Sequence, residues 1–349
     1  MNVAAVAKLP TLSSARPVPP AEVQEQDGAQ EASSRDVIQY KGEFLRGGRY
    51  DMSAETEAEF QGVKPSKKDY AVAGVMTAGA VMTAVNVAAQ VAMLPGLEGK
   101  LIGAGVVAAS LVAGYAAADM ASGVFHHWID NYPKPTSPYI GKLAAEFQYH
   151  HRDHYSLLKV PFLSNCSRAG IFMAPMMAAV GLTNPHYAAG AFGLSFLAGG
   201  FFAQGSHRWT HTENPPALGK LMQKLHLAQT KRDHAEHHDM PWATNYCIVN
   251  GMWNPLMEKY DGWRKLENLY FKLTGAVPET WNDEATKKLA LGEIDKPTFL
   301  EMQRETLKAF ADHAHEKWEN DYARRLEGTN LQEVVKDVKT AGSGEKPTA

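Results

Sequence analysis

The sequence predicts an all-α integral membrane protein, a bundle of about four transmembrane helices with a histidine-rich helical cap on one face. Two observations predict this fold. Four segments in the middle of the 349-residue chain carry no charged residue, and twelve of the fourteen histidines lie between His126 and His238. The mean hydropathy of -0.31 averages these apolar segments with polar ends, so it does not argue against a membrane protein.

The first two apolar segments are predicted to form a transmembrane hairpin. Residues 71–94 are enough to cross a ~30 Å hydrocarbon core at a rise of ~1.5 Å per residue. A turn at Pro95 and Gly96 leads into residues 101–118, whose many Ala and Gly residues are typical of closely packed membrane helices.

The second apolar pair comprises residues 169–182 and 187–203. Both segments are short. Residues 169–182 lie near the lower limit for a membrane span, so a tilted, buried or re-entrant helix is an alternative to a simple crossing.

Four crossings place the N-terminal tail, residues 126–168 and everything after Gln204 on one side of the membrane. Positive residues collect on that side, whereas the opposite turns nearly lack them, so it is predicted to be cytosolic or its organelle equivalent. The positive residues are Lys64, Lys67, Lys68, Arg208, Lys231 and Arg232.

The ends of the chain are predicted to lie outside the membrane domain. Residues 1–68 form a predicted disordered tail, and Met1–Ala21, with Lys8, Arg16, several Ser and Pro and no acid, resembles an organelle transit segment; an ordinary disordered tail is the alternative. Residues 273–338 are predicted to form a soluble helical region, and residues 339–349 a disordered tail.

Charge and cysteine content exclude some classes of partner and scaffold. The formal net charge of -3 gives no reason to expect a nucleic acid partner. The two cysteines, Cys166 and Cys247, do not make a disulfide framework.

The histidines fall into groups whose spacing of three or four residues puts them on one face of a helix. The groups are His126 with Asp130; His150, His151 and His154; His207 and His211; and His234, His237 and His238, with His226 eight residues upstream. More than six imidazoles are too many for one metal ion, so converging groups predict a polynuclear site. Imidazole suits iron, copper and zinc, and no cysteine pair offers the ligands of a structural zinc site.

Two iron ions are the predicted cofactor, with O2 as co-substrate. A pair of irons with neutral histidine ligands can reduce O2 and take hydrogen from an unactivated methylene group. A site just under the headgroups meets lipid chains without extracting them from the bilayer, which indicates a membrane glycerolipid as the substrate.

The middle of the chain also resembles a known family. Five runs carry the resemblance: A-D-M-A-S-G-V-F-H-H-W-I-D-N-Y, P-Y-I-G, F-Q-Y-H-H, Q-G-S-H-R-W-T-H, and H-A-E-H-H-D-M-P with N-Y-C-I-V-N-G-M-W-N. They are similar to the Kua-type lipid desaturases, which include plasmanylethanolamine desaturase and the plant plastid enzyme that puts a trans-3 double bond into palmitate on phosphatidylglycerol.

The resemblance implies a diiron lipid desaturase domain, which we assign to residues 69–272. The positions that match the family motifs are Asp119, His126, Asp130, His150, His151, His207, His211, His234, His237 and His238. The residues of these motifs are nearer to those of the plant acyl desaturases, which favours trans-3 desaturation of a palmitoyl group of phosphatidylglycerol. The alternative product is the plasmalogen vinyl ether.

Two features depart from the plant pattern. His226 matches a histidine of the plasmalogen branch. The run R-D-H-Y-S-L-L-K-V-P after His151 differs from both branches, and we predict that His154 replaces a ligand that the plasmalogen branch carries near Val160.

Three polar residues are predicted to lie just outside the metal ligands. Asp119 and Asp130 are expected to accept the N–H of a ligand histidine and so fix its tautomer and orientation. Asn165 follows the second histidine group and is expected either to approach an iron through water or to hold a turn. No catalytic residue is predicted beyond the metal site, and His127 is assigned either to packing or to ligation.

Two other classes stay open: a membrane hydroxylase or zinc-dependent lipid hydrolase, and a non-catalytic membrane adaptor. A desaturase needs two external electrons for each turnover, but the chain has neither the H-P-G-G signature of a fused cytochrome b5 domain nor a cysteine set for an iron–sulfur cluster. A separate donor is therefore predicted, ferredoxin in a plastid or cytochrome b5 in the endoplasmic reticulum. The transit-like tail favours the plastid membrane.

Overall fold

The computed structural model describes residues 64–134, 136–151, 154–212, 214–238 and 243–303, and these ranges contain helices, turns and no strand. The predicted all-α fold is confirmed. The predicted transit-like tail and C-terminal disordered tail lie outside the described residues, as does most of the predicted soluble helical region after residue 303.

The described part of the chain contains ten complete α-helices, and residues 296–303 are also helical. In order they are α1 (Lys67–Ala92), α2 (Gly96–Asn131), α3 (Gly141–His150), α4 (Phe162–Thr183), α5 (Tyr187–Thr210), α6 (Ala217–Lys224), α7 (Lys231–Ala235), α8 (Asn254–Lys259), α9 (Gly262–Thr274) and α10 (Glu284–Leu291). Short 3₁₀ helices lie at His154–Leu157, Glu236–His238 and Glu279–Asn282.

Three of the long helices, α1, α2 and α4, are long and apolar enough to cross a membrane, which fits the predicted membrane bundle. The fourth predicted span, α5, has 24 residues but is not among the three. Its Gly, Ser and Gln residues lower its hydropathy. Crossing by α5 therefore stays a prediction.

Two of these helices extend further than the apolar segments predict. α4 begins at Phe162 rather than residue 169, which gives it 22 residues and favours a full crossing. α2 runs on to Asn131, well past residue 118, and so carries His126 and Asp130. Both extensions contain polar residues that are buried by the rest of the fold, and buried partners make a helix of polar sequence stable.

Among the four long helices, α5 contacts each of the other three. α1 packs against α4, α2 against α5, and α5 also contacts α4 and α1. Small residues allow close approach at these contacts, as is usual between membrane helices. At Gly79 in α1, a Cβ atom would lie 2.7 Å from the backbone nitrogen of Ala178 in α4.

Replacing Gly79 with Ala is expected to destabilise the bundle by about 1–3 kcal/mol, because the added methyl group meets the backbone of α4, which cannot move aside cheaply. Gly74→Ala is the matched control. Gly74 lies on the same helix, and a Cβ atom there would have nothing within 4 Å. Unfolding in detergent checks this. Equal stability of the two variants would show that α1 and α4 do not pack as described.

A capping box at the start of α1 also ties this helix to α4. The backbone N–H of Ser66 donates to Asp69 Oδ2 at 2.8 Å, and the Ser164 hydroxyl of α4 donates to the same oxygen at 2.7 Å. One carboxylate therefore both caps α1 and fixes the neighbouring ends of two long helices.

The chain after α7 closes over the ends of the bundle. Tyr246, Cys247 and Trp263 form a buried cluster there with Met257 and Leu266. Both cysteines are buried and free.

Candidate metal centre

Eight of the ten predicted histidines converge in two adjacent clusters, together with one aspartate. Cluster 1 contains His150, His207, His211, His234 and His238, and cluster 2 contains His126, Asp130, His151 and His237. Within each cluster the possible ligand atoms all lie within 4.8 Å of one another. All of these residues are buried except His211, which is partly exposed.

Helix ends bring the histidines together. The last turns of α2 carry His126 and Asp130 at positions i and i+4, so both face the same way. The end of α5 carries His207, and His211 caps that helix. Since both helices end at the same face of the bundle, their last side chains reach one region.

The paired histidines explain why the clusters are adjacent. His150 contributes to cluster 1 and His151 to cluster 2, and His238 and His237 divide in the same way. Consecutive residues in a helical turn point in different directions, so one dipeptide can supply a ligand to each cluster. The rings of His151 and His238, one from each cluster, have centroids 5.0 Å apart.

The nitrogen spacing in cluster 1 fits a shared metal ion. His207 Nε2 lies 2.8 Å from His234 Nε2 and 3.1 Å from His150 Nε2. His238 Nε2 lies 2.9 Å from His234 Nε2. Nitrogen atoms at ~2.1 Å from one ion, in neighbouring octahedral positions, would be about 3 Å apart. The residues present therefore fit a first-row metal ion bound by imidazole.

Cluster 2 surrounds one carboxylate oxygen. Asp130 Oδ2 lies 3.2 Å from His126 Nε2, 3.1 Å from His151 Nε2 and 3.6 Å from His237 Nε2. The sequence analysis placed Asp130 outside the ligands, as an acceptor of a histidine N–H. In the fold this oxygen lies among the Nε2 atoms, so Asp130 belongs to the candidate donor set itself. Two or three imidazoles with a carboxylate suit a redox-active iron site.

Backbone carbonyl groups fix the orientation of two cluster 2 histidines. His126 Nδ1 lies 3.1 Å from the Tyr246 carbonyl oxygen, and His237 Nδ1 lies 2.8 Å from that of Thr244. A nitrogen that faces a carbonyl must carry the proton and donate it, which leaves the Nε2 lone pair directed into the cluster. Within the described part of the chain, both Nε2 atoms are buried without a hydrogen-bond partner.

Burial lowers the pKa of His234 and His237 and so favours the neutral form that metal ligation requires. It holds the pKa of His234 well below the ordinary value, and the neighbouring imidazoles of His207 and His211 lower it further. Burial also lowers the pKa of His237, although the nearby Asp130 carboxylate opposes this effect. Neutral imidazoles in a buried pocket offer their lone pairs without first losing a proton.

Asp119 does not have the predicted role of accepting a histidine N–H. Its Oδ1 accepts the backbone N–H groups of Val249, Asn250 and Gly251 at 2.9–3.1 Å, and its Oδ2 accepts that of Trp253 at 3.3 Å. These residues continue the segment whose carbonyl groups hold His126 and His237. Asp119 thus acts on cluster 2 through the backbone of residues 244–253.

Replacing Asp119 with Asn is expected to cost about 1.5–3 kcal/mol of stability, since hydrogen bonds to a charged acceptor are lost and an amide NH2 can face the N–H of Trp253. Because residues 244–253 hold two histidines, metal affinity should fall by about 10–100-fold. Asp295→Asn, at an exposed helix cap, is the control. Unchanged metal affinity in Asp119→Asn would show that residues 244–253 do not support the metal site.

Two other predicted site residues, Asn165 and His226, belong to neither cluster. Asn165 is buried and donates to the carbonyl groups of Leu157 and Val160 at 2.9 and 3.2 Å, which matches the alternative role of holding a turn. His226 is exposed, has a φ of 55° and belongs to neither cluster. Its left-handed backbone reverses the chain after α6 and directs the residue away. His154 begins a 3₁₀ helix, and its side chain lies outside the described part of the structure.

A buried ion network next to cluster 2 was missed by the sequence analysis. His127 Nε2 lies 3.0 Å from Glu267 Oε1, and Arg264 lies 2.9 Å from the same oxygen. The hydroxyl of Thr280 and the indole N–H of Trp281 also donate to Glu267, at 2.8 and 3.0 Å. The signal available in the sequence was an Arg and a Glu three residues apart on α9. His127 is thus neither a cluster ligand nor a surface residue.

An apolar cavity of about 200 Å³ leads to cluster 1. It lies between α2, α3, α4 and α5, and the candidate ligands His150 and His207 form part of its wall. The other lining residues are Phe125, Leu143, Glu146, Phe147, Ser156, Leu157, Val160, Arg168, Ala169, Phe172, Met173 and Gln204. Phe172 is 70% exposed on the outer surface of α4, so the cavity reaches the side of the bundle that would face lipid.

Residues 115–281, which contain both clusters, match the lipid desaturase domain. This part of the chain is a lipid desaturase domain. The predicted family resemblance is confirmed, and the match covers all of the candidate ligands. It also includes Asp119, the residues 244–253 that Asp119 holds, and the ion network around Glu267. No solved structure matches the chain.

Curated relatives from two branches are similar to the chain. It is 31% identical to fatty acid desaturase 4, chloroplastic, of Arabidopsis thaliana over 49% of its own length and 54% of that protein. It is 32% identical to the chloroplastic fatty acid desaturase 4-like 1 of the same plant, over 49% of its length and 59% of the relative. It is 30% identical to the plasmanylethanolamine desaturase of Myxococcus xanthus, over 50% of its own length and 64% of that protein. The chain therefore spans little more than half the length of these plant relatives.

Proposed function

We propose that this protein is an O2-dependent diiron lipid desaturase that introduces a double bond near the headgroup end of a glycerolipid chain. The observation that carries the proposal is the position of cluster 1 at the wall of an apolar cavity that reaches the lipid-facing side of the bundle. A methylene group in this cavity would lie beside the candidate metal ligands without leaving the membrane.

The residues of the two clusters suit two metal ions better than one. Cluster 1 offers five imidazoles, and cluster 2 offers three imidazoles and a carboxylate. Cluster 1 would hold one iron and cluster 2 the other, with Asp130 as a ligand in cluster 2. When bound, the two irons would supply the reduction of O2 and the oxidising power that removes two hydrogen atoms from a saturated chain.

The remaining residues would orient the ligands and exclude water. The carbonyl groups of Thr244 and Tyr246 direct two Nε2 lone pairs into cluster 2. Leu143, Phe147 and Met173 give the cavity an apolar wall that favours a hydrocarbon chain over water. Such a wall also protects a reactive metal centre from side reactions with solvent.

Trans-3 desaturation of a palmitoyl group of phosphatidylglycerol is the proposed reaction. The similarity to the two plant fatty acid desaturases and the residues of the histidine motifs support an acyl substrate. The cavity size supports reaction near one end of the chain, because a cavity of ~150 Å³ is known to hold one benzene molecule. A cavity of about 200 Å³ would therefore hold only a short part of a palmitoyl chain.

Formation of a plasmalogen vinyl ether is the second candidate function. The bacterial plasmanylethanolamine desaturase is nearly as similar to the chain as the plant proteins are. The reacting carbons of an ether chain lie equally close to the headgroup, so the same cavity would serve.

We propose a plastid membrane as the location, with ferredoxin as the electron donor, and the endoplasmic reticulum with cytochrome b5 as the alternative.

Lipid analysis of a host that expresses the full chain tests the proposed function. The expected result is a new trans-3 acyl group on phosphatidylglycerol, which requires O2 and disappears in the variant His151→Ala. A vinyl ether instead would select the second candidate. A double bond in the middle of a chain, a hydroxylated lipid or no new lipid in the presence of a working electron donor would contradict the proposal.

A further inference from the structure

One ion pair lies in the wall of the otherwise uncharged cavity. Arg168 of α4 donates to Glu146 of α3 at 2.7 Å. The two side chains are 30% and 14% exposed. Apart from His150 and His207, no other ionisable residue lines this cavity in the described part of the chain.

The position of Arg168 is unusual for a membrane helix. It is the only charged residue among the 22 residues of α4, and it lies about 9 Å along the helix from Phe162 at a rise of ~1.5 Å per residue. So close to the start of α4, Arg168 would lie near the headgroup level of a membrane that this helix crosses, and a charged residue in a membrane helix commonly marks a functional site. A partly exposed ion pair contributes only about 0–1 kcal/mol to stability, so joining α3 to α4 is a weak reason for the pair.

The pair lies one helical turn from the metal ligands. Glu146 and His150 are at positions i and i+4 of α3, which separates them by about 6 Å along the axis and puts them on one face. Leu143, Phe147, Glu146 and His150 all line the same cavity. An anion held by Arg168 would therefore lie close to the candidate reaction site.

We propose that Arg168 binds the phosphodiester of the substrate headgroup and that Glu146 positions its guanidinium before the lipid arrives. The planar fork of arginine matches phosphate through two parallel hydrogen bonds. With the phosphate held at Arg168, the first carbons of the attached chain reach His150 and His207. The rest of the chain extends past Phe172 towards the membrane. This inference rests on the proposed function, since it assigns a headgroup site for the same substrate.

Binding measurements on the full chain in detergent test the proposal without requiring turnover. The probes are dihexanoyl phosphatidylglycerol, dihexanoylglycerol, which lacks phosphate, and inorganic phosphate. The wild-type protein should bind the phospholipid at least tenfold more tightly than either of the other two. Equal binding of dihexanoylglycerol would show that the cavity recognises only chains, and equal binding of inorganic phosphate would make it a site for a free anion. Either result overturns the proposal.

Variants of Arg168 and Glu146 distinguish headgroup recognition from an ion pair that only joins α3 to α4. Arg168→Gln should weaken phospholipid binding at least tenfold, whereas Glu146→Gln should weaken it less, because the guanidinium stays in the cavity and only its positioning is lost. Equal losses in both variants would mean that the pair only joins two helices. Lys220→Gln, which removes an exposed positive charge from α6, is the control for non-specific attraction and should bind like the wild type.

A double variant covers the case in which Arg168→Gln fails to fold. Glu146→Gln with Arg168→Gln leaves no unpaired charge in the cavity, so it should fold and still lose phospholipid binding. Full binding in the double variant would overturn the proposal. If the wild type forms the double bond but Arg168→Gln still binds the phospholipid fully, only this inference fails. If Arg168 binds the phospholipid but no double bond forms, only the proposed function fails.

Discussion

Replacement of either histidine in the His237–His238 pair with Ala is expected to abolish the lipid product while leaving the protein in the membrane. Each variant removes a candidate ligand from a different cluster. Changes outside the direct ligands typically reduce metal-site activity by about 10–100-fold, so loss of a ligand should exceed that range. The two variants should also each lose iron.

His226→Ala is the matched control for these variants. His226 lies in the same part of the sequence, but it is exposed and belongs to neither cluster. The control should form the product at the wild-type level. Lipid analysis and membrane fractionation check both results. Product formation that survives in His237→Ala and His238→Ala, or that is lost in His226→Ala, would contradict the described site.

Replacement of Arg264 with Leu is expected to destabilise the cap by about 3–5 kcal/mol, because it leaves the Glu267 carboxylate buried without its cationic partner. Glu267 also contacts His127 near the end of α2, at 3.0 Å, so the change would loosen the contact between α9 and α2. Lys288→Leu is the matched control. It breaks an exposed ion pair with Glu284 and should change the free energy of unfolding by less than ~1 kcal/mol.

The same network gives stability a defined pH dependence. Burial alone would raise the pKa of Glu267, but Arg264 and the hydrogen bond from His127 outweigh burial and bring the pKa below the ordinary value of 4.5. A carboxyl group with a lowered pKa in the fold stabilises the fold at pH values above its unfolded pKa. This contribution should therefore be present at neutral pH and decline as the pH falls below about 4.5. Unfolding curves of the wild type and Glu267→Gln should converge at low pH; a constant gap would contradict the network.

The main features of the site were predictable because they depend on local spacing. His126 and Asp130 are four residues apart, and His207 and His211 are as well, so helical geometry alone places each pair on one face. The apolar segments fixed the order of the long helices. Together these two patterns were sufficient to predict convergence of the histidine groups at one end of a bundle.

Features that depend on distant contacts were not predictable in the same way. Asp119 accepts hydrogen bonds from residues that follow it by about 130 positions, and no local pattern reveals such partners. The same holds for Asp130, whose place among the candidate ligands depends on three different segments. His226 was predicted because it matches a histidine of the plasmalogen branch, but a left-handed turn at the residue itself directs it elsewhere.

Iron analysis of the purified full-length protein tests the central claim most directly. Two clusters that each hold one iron predict two iron ions per chain in the wild type, with spectroscopic coupling between them. His237→Ala and His238→Ala should each reduce this number, and His226→Ala should not. A single metal ion per chain, or zinc in place of iron when both metals are supplied, would contradict a diiron centre built from these two clusters.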